Sequence, residues 1–359
     1  MIIYLNNGRN TTAGRVISFL RFPLIVLILF IHSNFSTVSG AFAQQTVATA
    51  VSQYVSGTIA PVALWAFFFI SGMLFFHEGT FSTDIYRRKL RSRCRTLLLP
   101  YVVWNALYIV LLLVAERLTG HTPGIDKPVS DMGIADILYC FFDISLIDHS
   151  SALHAPIDLP LWFVRDLMVL ALLSPIIYLV VKYYSKLHIY VQTCLLLPLF
   201  YCMDRCGWWP QDFATPAVFF AIGAYFSING IDICRVFRRM DAAFLMSACV
   251  AFYYQYILTG YLIIIFLAFS WLGKYATSGR LPMNSLLERS TFFVFAYHTL
   301  LSGAFVYAIK SGRIPITNDL AALGVYILSP LSMAVTGVVL YYILDRYLPR
   351  LAAILTGGR

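Results

Sequence analysis

Long apolar blocks, rather than alternating apolar and polar positions, dominate this chain. A membrane-spanning helix needs about 20 apolar residues. Ten blocks approach that length: residues 15–34, 56–77, 97–115, 160–181, 187–203, 212–228, 242–257, 258–273, 290–309 and 322–344. The pattern predicts an all-α fold, a polytopic membrane helix bundle of about ten transmembrane helices. Only Leu258–Gly260 separates the apolar cores of the seventh and eighth blocks, so one long tilted helix is the alternative there.

Composition supports the same class of protein. Of 359 residues, 60% are hydrophobic and 12% are charged, whereas a soluble domain carries about 25% charged residues. A soluble enzyme and a disordered chain are therefore excluded, and seven cysteines are too few for a disulfide scaffold. An outer-membrane β-barrel would need short strands of alternating apolar and polar residues, whereas this chain has long apolar blocks. We expect one transmembrane domain over residues 1–359, with the outer loop 116–159 as a candidate lid.

The distribution of Lys and Arg predicts the orientation of the bundle. With the N-terminus inside, nineteen of the 26 cations fall in cytoplasmic segments and five in outer ones, as the positive-inside rule requires. Both termini are then cytoplasmic in a multi-pass protein of the inner cell membrane. The net charge of +9 needs no nucleic-acid partner. A competing interpretation is a signal peptide cleaved near Ala41–Ala43, which would remove Arg21 and His32.

Arg21 and His32 are two polar residues within the first apolar block. At about 100° and 1.5 Å per residue, their spacing puts them on one helix face, about 16 Å apart along the axis. A charge inside a bilayer costs about 2.5–3.5 kcal/mol on insertion scales, so both residues are candidates for function. The alternative is an arginine that extends to the inner interface and a structural histidine at the outer one.

A second polar group lies at the outer start of the fourth block. Offsets of three and four residues put Trp162, Arg165 and Asp166 on one helix face, at a depth similar to that of His32. Because Arg165 and Asp166 are adjacent in sequence, the spacing does not require them to pair. Asp166 could orient an imidazole, or the group could be an interfacial anchor with a structural ion pair. His298, halfway across the ninth block, is expected to face the bundle interior.

The inner loop between the second and third blocks is strongly basic. Six cations occupy nine residues, namely Arg87, Arg88, Lys89, Arg91, Arg93 and Arg95. Such a cluster suits anionic lipid headgroups or a phosphate-rich cofactor. Nearer the cytosol on the second block, Ser71 precedes Gly72, where the missing side chain permits close approach by a ligand. In the outer loop, histidines and aspartates could bind a metal, but no tight ligand spacing occurs, so no metal is expected.

Taken in order, these motifs resemble the membrane acyltransferase-3 family, whose members O-acylate glycans. The first span carries an arginine, ten residues and then a histidine. The remaining matches are Phe69–Gly72, the basic loop running into Leu99–Tyr101, Leu161–Asp166, Phe219–Gly223 and Phe295–His298. One departure is Phe22, which stands where a glycine commonly follows the arginine in the family.

The resemblance implies acyl-CoA, with acetyl-CoA foremost, as the co-substrate, and a glycan or lipid-linked sugar as the acceptor. Membrane lipids are further partners, and nucleic acid is not. It implies that the phosphates of CoA bind the basic loop, where the candidate residues, with Ser71 nearby, are Arg88, Arg91, Arg93 and Arg95. Arg21 would then orient the cofactor inside the membrane.

The resemblance also implies His32 as the general base on a sugar hydroxyl, a role that suits an unperturbed imidazole with a pKa of about 6.5. Asp166 would hold the imidazole, and Arg165 or His298 would polarise the carbonyl oxygen. An acyl-histidine intermediate is an open variant. Two alternatives are a secondary transporter, although no internal repeat is visible, and a non-catalytic membrane scaffold.

Overall fold

The computed structural model describes residues 11–37, 45–120, 127–141, 156–205 and 213–358. Within these ranges the chain is helical and no strand is assigned. We number the helices α1 Thr12–His32, α2 Thr46–Phe75, α3 Thr83–Leu118, α4 Ile134–Tyr139, α5 Trp162–Leu172, α6 Ser174–Tyr184, α7 Ile189–Arg205, α8 Ala214–Ile228, α9 Ile233–Val236, α10 Asp241–Tyr253, α11 Ile257–Thr277, α12 Ser285–Lys310, α13 Asp319–Tyr347 and α14 Pro349–Thr356.

The described helices confirm an all-α, multi-pass membrane fold. Six of them are long and apolar enough to cross a membrane: α1, α2, α3, α11, α12 and α13. Helices α5 and α6 meet at a bend of 68° and together make a seventh candidate. The other predicted blocks are occupied by α7, α8 and α10, which are shorter, at 17, 15 and 13 residues. The total of ten spans stays a prediction.

The seventh and eighth blocks form two helices rather than one long one. Helix α10 ends at Tyr253 and α11 begins at Ile257. Between them Gln255 has a φ of 62°, a left-handed conformation that interrupts the helical hydrogen-bond pattern. The alternative of a single tilted helix is therefore wrong.

Helix α1 lies centrally in the bundle. It packs against α2, α11, α12 and α13, and its start is fixed by the Thr11 hydroxyl, which accepts a hydrogen bond from the Gly14 N–H at 3.0 Å. Helix α12 begins in the same way, because the Asn284 side chain accepts from the Leu286 and Leu287 N–H groups. The candidate residues on α1 therefore face other helices as well as lipid.

Helices α2 and α8 cross at two glycines. A Cβ atom on Gly72 would overlap the carbonyl oxygen of Phe220, and a Cβ atom on Gly223 would overlap that of Phe69. The two backbones therefore touch, as small residues allow where membrane helices cross. This reciprocal contact gives Gly72 a packing role that the sequence did not suggest.

The basic segment is helical, so its interpretation as a loop is wrong. The Ser82 hydroxyl caps α3 by accepting from the Ile85 N–H at 3.3 Å, and the chain stays helical through a π-turn at Cys94–Leu98 to Leu118. Its 36 residues extend about 54 Å, whereas the hydrocarbon core is about 30 Å thick. The cationic end therefore projects beyond the apolar layer.

Part of the loop predicted to be external packs onto the end of α3 on the same side. Inner and outer denote below the two sides of the bundle that the charge pattern predicts to be cytoplasmic and external. The buried side chains of Val129, Cys140 and Ile157 cluster around Leu112, and Ile134–Tyr139 forms a short helix in this loop. The loop histidines (His121, His149, His154), Asp126, Cys206 and the Ala41–Ala43 segment lie outside the described residues. The metal and signal-peptide interpretations therefore have no structural counterpart here.

Candidate functional site

At its inner end, the α1–α12 interface holds a partly buried ion pair. Arg21 Nη1 lies 3.3 Å from Glu288 Oε1, and the Ser18 hydroxyl donates to the same oxygen at 2.9 Å. The guanidinium of Arg93, from α3, is close enough to Arg21 for their charges to repel. Glu288 thus partly neutralises a cluster that would otherwise be strongly positive. A cavity of about 110 Å³ lies beside this pair, lined largely by apolar side chains.

At its outer end, the same interface holds two histidines. The rings of His32 and His298 have centroids 4.8 Å apart and an interplanar angle of 56°. His298 is fully buried, and its Nδ1 donates to the Phe295 carbonyl at 2.5 Å. The Ser302 hydroxyl donates to the His32 carbonyl at 3.2 Å. Arg21 and His32 therefore both contact α12, in keeping with the shared face that their spacing predicts.

A buried carboxyl group, that of Asp158, contacts α12 at Thr299, one residue beyond His298. Its Oδ1 accepts from the Thr299 hydroxyl at 2.9 Å, and its backbone N–H donates to Asn105 Oδ1 at 3.2 Å. Asp158 and Asn105 are almost completely shielded from solvent. Asp158 thus joins the start of α5 to α3 and α12 at the outer side of the bundle.

Arg165 and Asp166 form an ion pair, although their spacing did not require it. Arg165 Nε and Nη2 each lie 2.9 Å from Asp166 Oδ1. The Asp166 side chain is buried, whereas that of Arg165 is 22% exposed. Phe163, on the same helix, packs edge-on against Phe295, one turn before His298. The pair therefore lies in the outer half of the bundle, but the group packed against the His32 ring is His298.

Three of the four candidate arginines line one cavity on the inner side. The cavity has a volume of about 290 Å³. Its lining consists of Arg88, Arg91, Ser92, Arg95, Thr96, Gly357 and Gly358. Arg88 is held by Glu78, with Nη2 2.9 and 2.7 Å from the two carboxylate oxygens. The arrangement offers positive charge, a hydroxyl group and exposed backbone, which is a suitable environment for phosphate groups.

The fourth arginine and Ser71 lie elsewhere. Arg93 sits over the Phe75 ring, 5.7 Å from its centroid, and Lys89 contacts the same ring. Ser71 is half-buried on α2 next to the glycine crossing. Neither Arg93 nor Ser71 lines the arginine cavity. Arg93 is instead close enough to Arg21 for the two charges to interact.

Three contributors to the site escaped sequence reasoning. Neither Glu288 nor Asp158 was singled out by the sequence, because each is one of several acidic residues near the ends of apolar blocks. The C-terminal glycines carried no pattern, yet a Cβ on Gly357 would clash with the Thr96 backbone, because α14 packs against α3. An acidic residue in the first turn of a span was the available signal for Glu288.

These features define a class of protein: a multi-pass helical membrane protein with a cationic cavity on the predicted inner side and a pair of contacting histidines between two of its spans. The profile of an acyltransferase domain, acyltransferase 3, matches residues 16–345. The chain therefore belongs to this acyltransferase family.

A curated relative and the solved structures complete the comparison. The chain is similar to the succinoglycan biosynthesis protein ExoH of Rhizobium meliloti (strain 1021), at 29% identity over 188 residues. That match covers 50% of this chain and 45% of the relative, so it extends over less than half of the relative's length. No solved structure matches this chain significantly.

Proposed function

We propose that this acyltransferase is an inner-membrane O-acyltransferase that moves an acyl group from cytosolic acyl-CoA to a sugar hydroxyl of a cell-surface glycan or its lipid-linked precursor. Acetyl-CoA is the foremost donor. The observation that carries the proposal is the α1–α12 interface, with Arg21 at its inner end and His32 at its outer end. In this proposal the interface links the side where acyl-CoA is made to the side where surface glycans lie.

The donor half of the proposal rests on the inner cavity. Arg91 and Arg95 are exposed side chains in its lining, and guanidinium groups bind phosphates through paired hydrogen bonds. The phosphates of CoA bind there in our proposal, with Arg88 held ready by Glu78. Arg93 and Arg21 then continue the positive path into the bundle. Ser71 is the outlying member of the proposed cofactor contacts.

The chemical step is transfer of the acyl group from sulfur to oxygen. His32 takes the proton of the sugar hydroxyl as its oxygen attacks the thioester carbonyl, and a tetrahedral intermediate forms. That intermediate collapses as the carbon–sulfur bond breaks, and the proton passes from His32 to the CoA thiolate. The products are an O-acyl ester and free CoA, with no net change in protons. General-base help of this kind typically contributes 10²–10⁴-fold.

Arg165 is the better of the two candidates for stabilising the oxyanion. An oxyanion is stabilised by a hydrogen-bond donor. The one N–H group of a neutral His298 already donates to the Phe295 carbonyl. Arg165 carries a permanent charge and a partly exposed side chain. Asp166 would hold the guanidinium in place rather than an imidazole.

The acceptor is inferred from the relative. Succinoglycan is a polysaccharide, and a matching protein named for its biosynthesis supports a glycan acceptor for this chain. Chemical analysis of the product identifies both that glycan and the acyl group.

The decisive experiment compares surface glycans from cells that lack the protein with those from cells that express it again, by mass spectrometry. We expect an acyl ester that disappears on deletion, returns with the wild-type protein and fails to return with His32→Ala. The matched control is His188→Ala, because His188 is an exposed histidine whose side chain packs against Tyr190. Membrane levels of each variant are measured in parallel.

The outcomes separate the alternatives. Loss of a glycan component itself, rather than its ester, would favour a transporter, and unchanged glycans would favour a scaffold. Full ester formation by His32→Ala would remove the histidine from the chemistry. Transfer of label from radioactive acetyl-CoA to glycan isolated from the deletion strain identifies the donor.

A further inference from the structure

His298 has an unusual hydrogen-bonding state for a buried histidine. Its Nδ1 must carry the proton, since the atom it faces at 2.5 Å is the Phe295 carbonyl oxygen, which can only accept. Its Nε2 is therefore an acceptor. In the described part of the chain, that buried Nε2 has no hydrogen-bond partner. Burying an unsatisfied polar atom is costly, so a donor close to Nε2 would stabilise the fold.

The ring next to His298 is that of His32. With centroids 4.8 Å apart and planes inclined at 56°, the two rings are in direct contact. A small rotation of His32, whose side chain is less buried than that of His298, would aim one of its nitrogens at His298 Nε2. His298 itself is fixed by its bond to Phe295 and by complete burial.

We propose that His298 is a positioning residue for His32, with its Nε2 accepting a hydrogen bond from the His32 ring. This inference rests on the proposed function, in which His32 is the general base. The contact fixes the tautomer of His32, so that one His32 nitrogen keeps its proton towards His298 and the other presents a lone pair to the sugar hydroxyl. A carboxylate has the corresponding role in serine hydrolases.

The pair also stabilises the charge that forms during the reaction. When His32 takes the hydroxyl proton, the imidazolium donates to His298 Nε2, and no proton moves to His298. When the thiolate leaves, His32 returns that proton to sulfur and the hydrogen bond to His298 persists. A neutral acceptor suits this position, because a buried carboxylate would be costly to keep charged before His32 becomes protonated.

Two variants of similar size test the proposal. In His298→Gln the amide oxygen can occupy the position of Nε2, whereas Asn is too short and its amide reaches only the position of Nδ1. Acyl transfer is measured with acetyl-CoA and glycan purified from cells that lack the protein. We expect His298→Gln to keep kcat within about tenfold of the wild type and His298→Asn to lose at least about a hundredfold, with the KM for acetyl-CoA unchanged in both.

A structural role predicts the opposite order. If the bond from Nδ1 to Phe295 were all that mattered, His298→Asn would preserve it and outperform His298→Gln. Equal activity of the two variants would also overturn the proposal. The double variant His32→Ala with His298→Asn should be no slower than His32→Ala alone, because His298 acts through His32. Thermal unfolding and gel filtration of each variant identify any that fail to fold.

A readout independent of activity separates this proposal from the proposed function. In protein labelled with ¹⁵N-histidine, we expect the His298 signals, assigned with His298→Gln, to show a protonated Nδ1 and an unprotonated Nε2. The Nε2 signal should shift when His32 is replaced by Ala. A protonated Nε2, or no shift, would refute the pair even in a protein that acylates glycans. An inactive wild type that shows the shift would refute only the proposed function.

Discussion

Asp158 is a buried carboxyl group just before α5, at the outer side of the bundle. It accepts one hydrogen bond, from Thr299, and burial raises the pKa of this carboxyl from 3.8 to about 7. An aspartate with such a pKa binds a proton more tightly in the folded state than in the unfolded chain. It therefore makes the stability of the protein depend on pH.

We predict that Asp158→Asn removes this dependence. For a group whose pKa is raised by folding, stability is fully present below the unfolded value, 3.8, and is lost as pH rises to the folded value, about 7. The neutral variant loses nothing, so its midpoint of thermal unfolding relative to the wild type should rise between those two pH values and level off above. Differential scanning fluorimetry in detergent measures both proteins across this range.

Asp204→Asn is the control for that experiment, since it likewise replaces a hydrogen-bonded carboxylate by an amide, here at the start of α11. It shows what such a replacement does to thermal stability at a second helix end. A difference between Asp158→Asn and the wild type that is constant with pH would show that Asp158 is ionised at neutral pH in the fold.

Individual residues differ in how far the sequence could predict them. The shared face of Arg21 and His32 follows from helix geometry alone, so an eleven-residue spacing was enough. Their partners were not predictable, because Glu288 and His298 lie more than 260 residues further along the chain. Which helix packs against α1 depends on the arrangement of the whole bundle. Pairing of Arg165 with Asp166 depends on side-chain rotamers, which sequence spacing does not fix.

At the scale of elements, α3 combines an apolar span with a cationic extension. The positive-inside pattern predicted the side of the membrane on which the cations lie. It could not show whether they lie on a loop or on a helix, because the number of charges is the same in both cases. The helix matters because it puts Arg88, Arg91 and Arg95, at offsets of three and four residues, along one face. That face is closed by the C-terminal glycines to form the inner cavity.

We predict that the double variant Arg91→Ala with Arg95→Ala raises the KM for acetyl-CoA at least tenfold. Hydrogen bonds to charged groups contribute roughly 1.5–3 kcal/mol each, so losing two has a large effect on binding. The maximal rate should change little, because both arginines lie far from His32. Kinetics of purified protein, with acetyl-CoA varied at fixed glycan concentration, provide the measurement.

The matched control is Arg238→Ala with Arg239→Ala, which removes two exposed cations predicted to lie on the same membrane side. Its KM should equal that of the wild type. If both double variants raise KM alike, the effect is one of general charge at the lipid surface. If neither does, the cavity does not bind the donor.

At the scale of the whole molecule, the described helices differ widely in length. Fold class and the position of each apolar helix were predictable from hydropathy, since apolar blocks need burial in lipid or in protein. The number of spans was harder to predict, because helices of 13–17 residues are too short to cross a hydrocarbon core of about 30 Å unaided. Hydropathy alone does not distinguish them from full spans.

We predict that Ile134 faces the outside and Arg239 the cytoplasm. Both side chains are exposed. In a background without the seven native cysteines, Ile134→Cys should react with a membrane-impermeant maleimide in intact spheroplasts. Arg239→Cys should react only after the membrane is permeabilised. The reverse pattern would invert the orientation, and reaction of both from outside would require a different number of spans between them.

The eleven residues from Arg21 to His32 set a length as well as a direction. They rise about 16 Å along α1. In the proposed reaction, a donor whose charged group stays on the Arg21 side of this interval reaches His32 only if a long arm separates that charge from the reactive carbonyl. Acyl phosphates and acyl adenylates carry the carbonyl directly beside the phosphate and could not span the interval. The length of the first helix would then exclude short activated donors before any side chain distinguishes one acyl group from another.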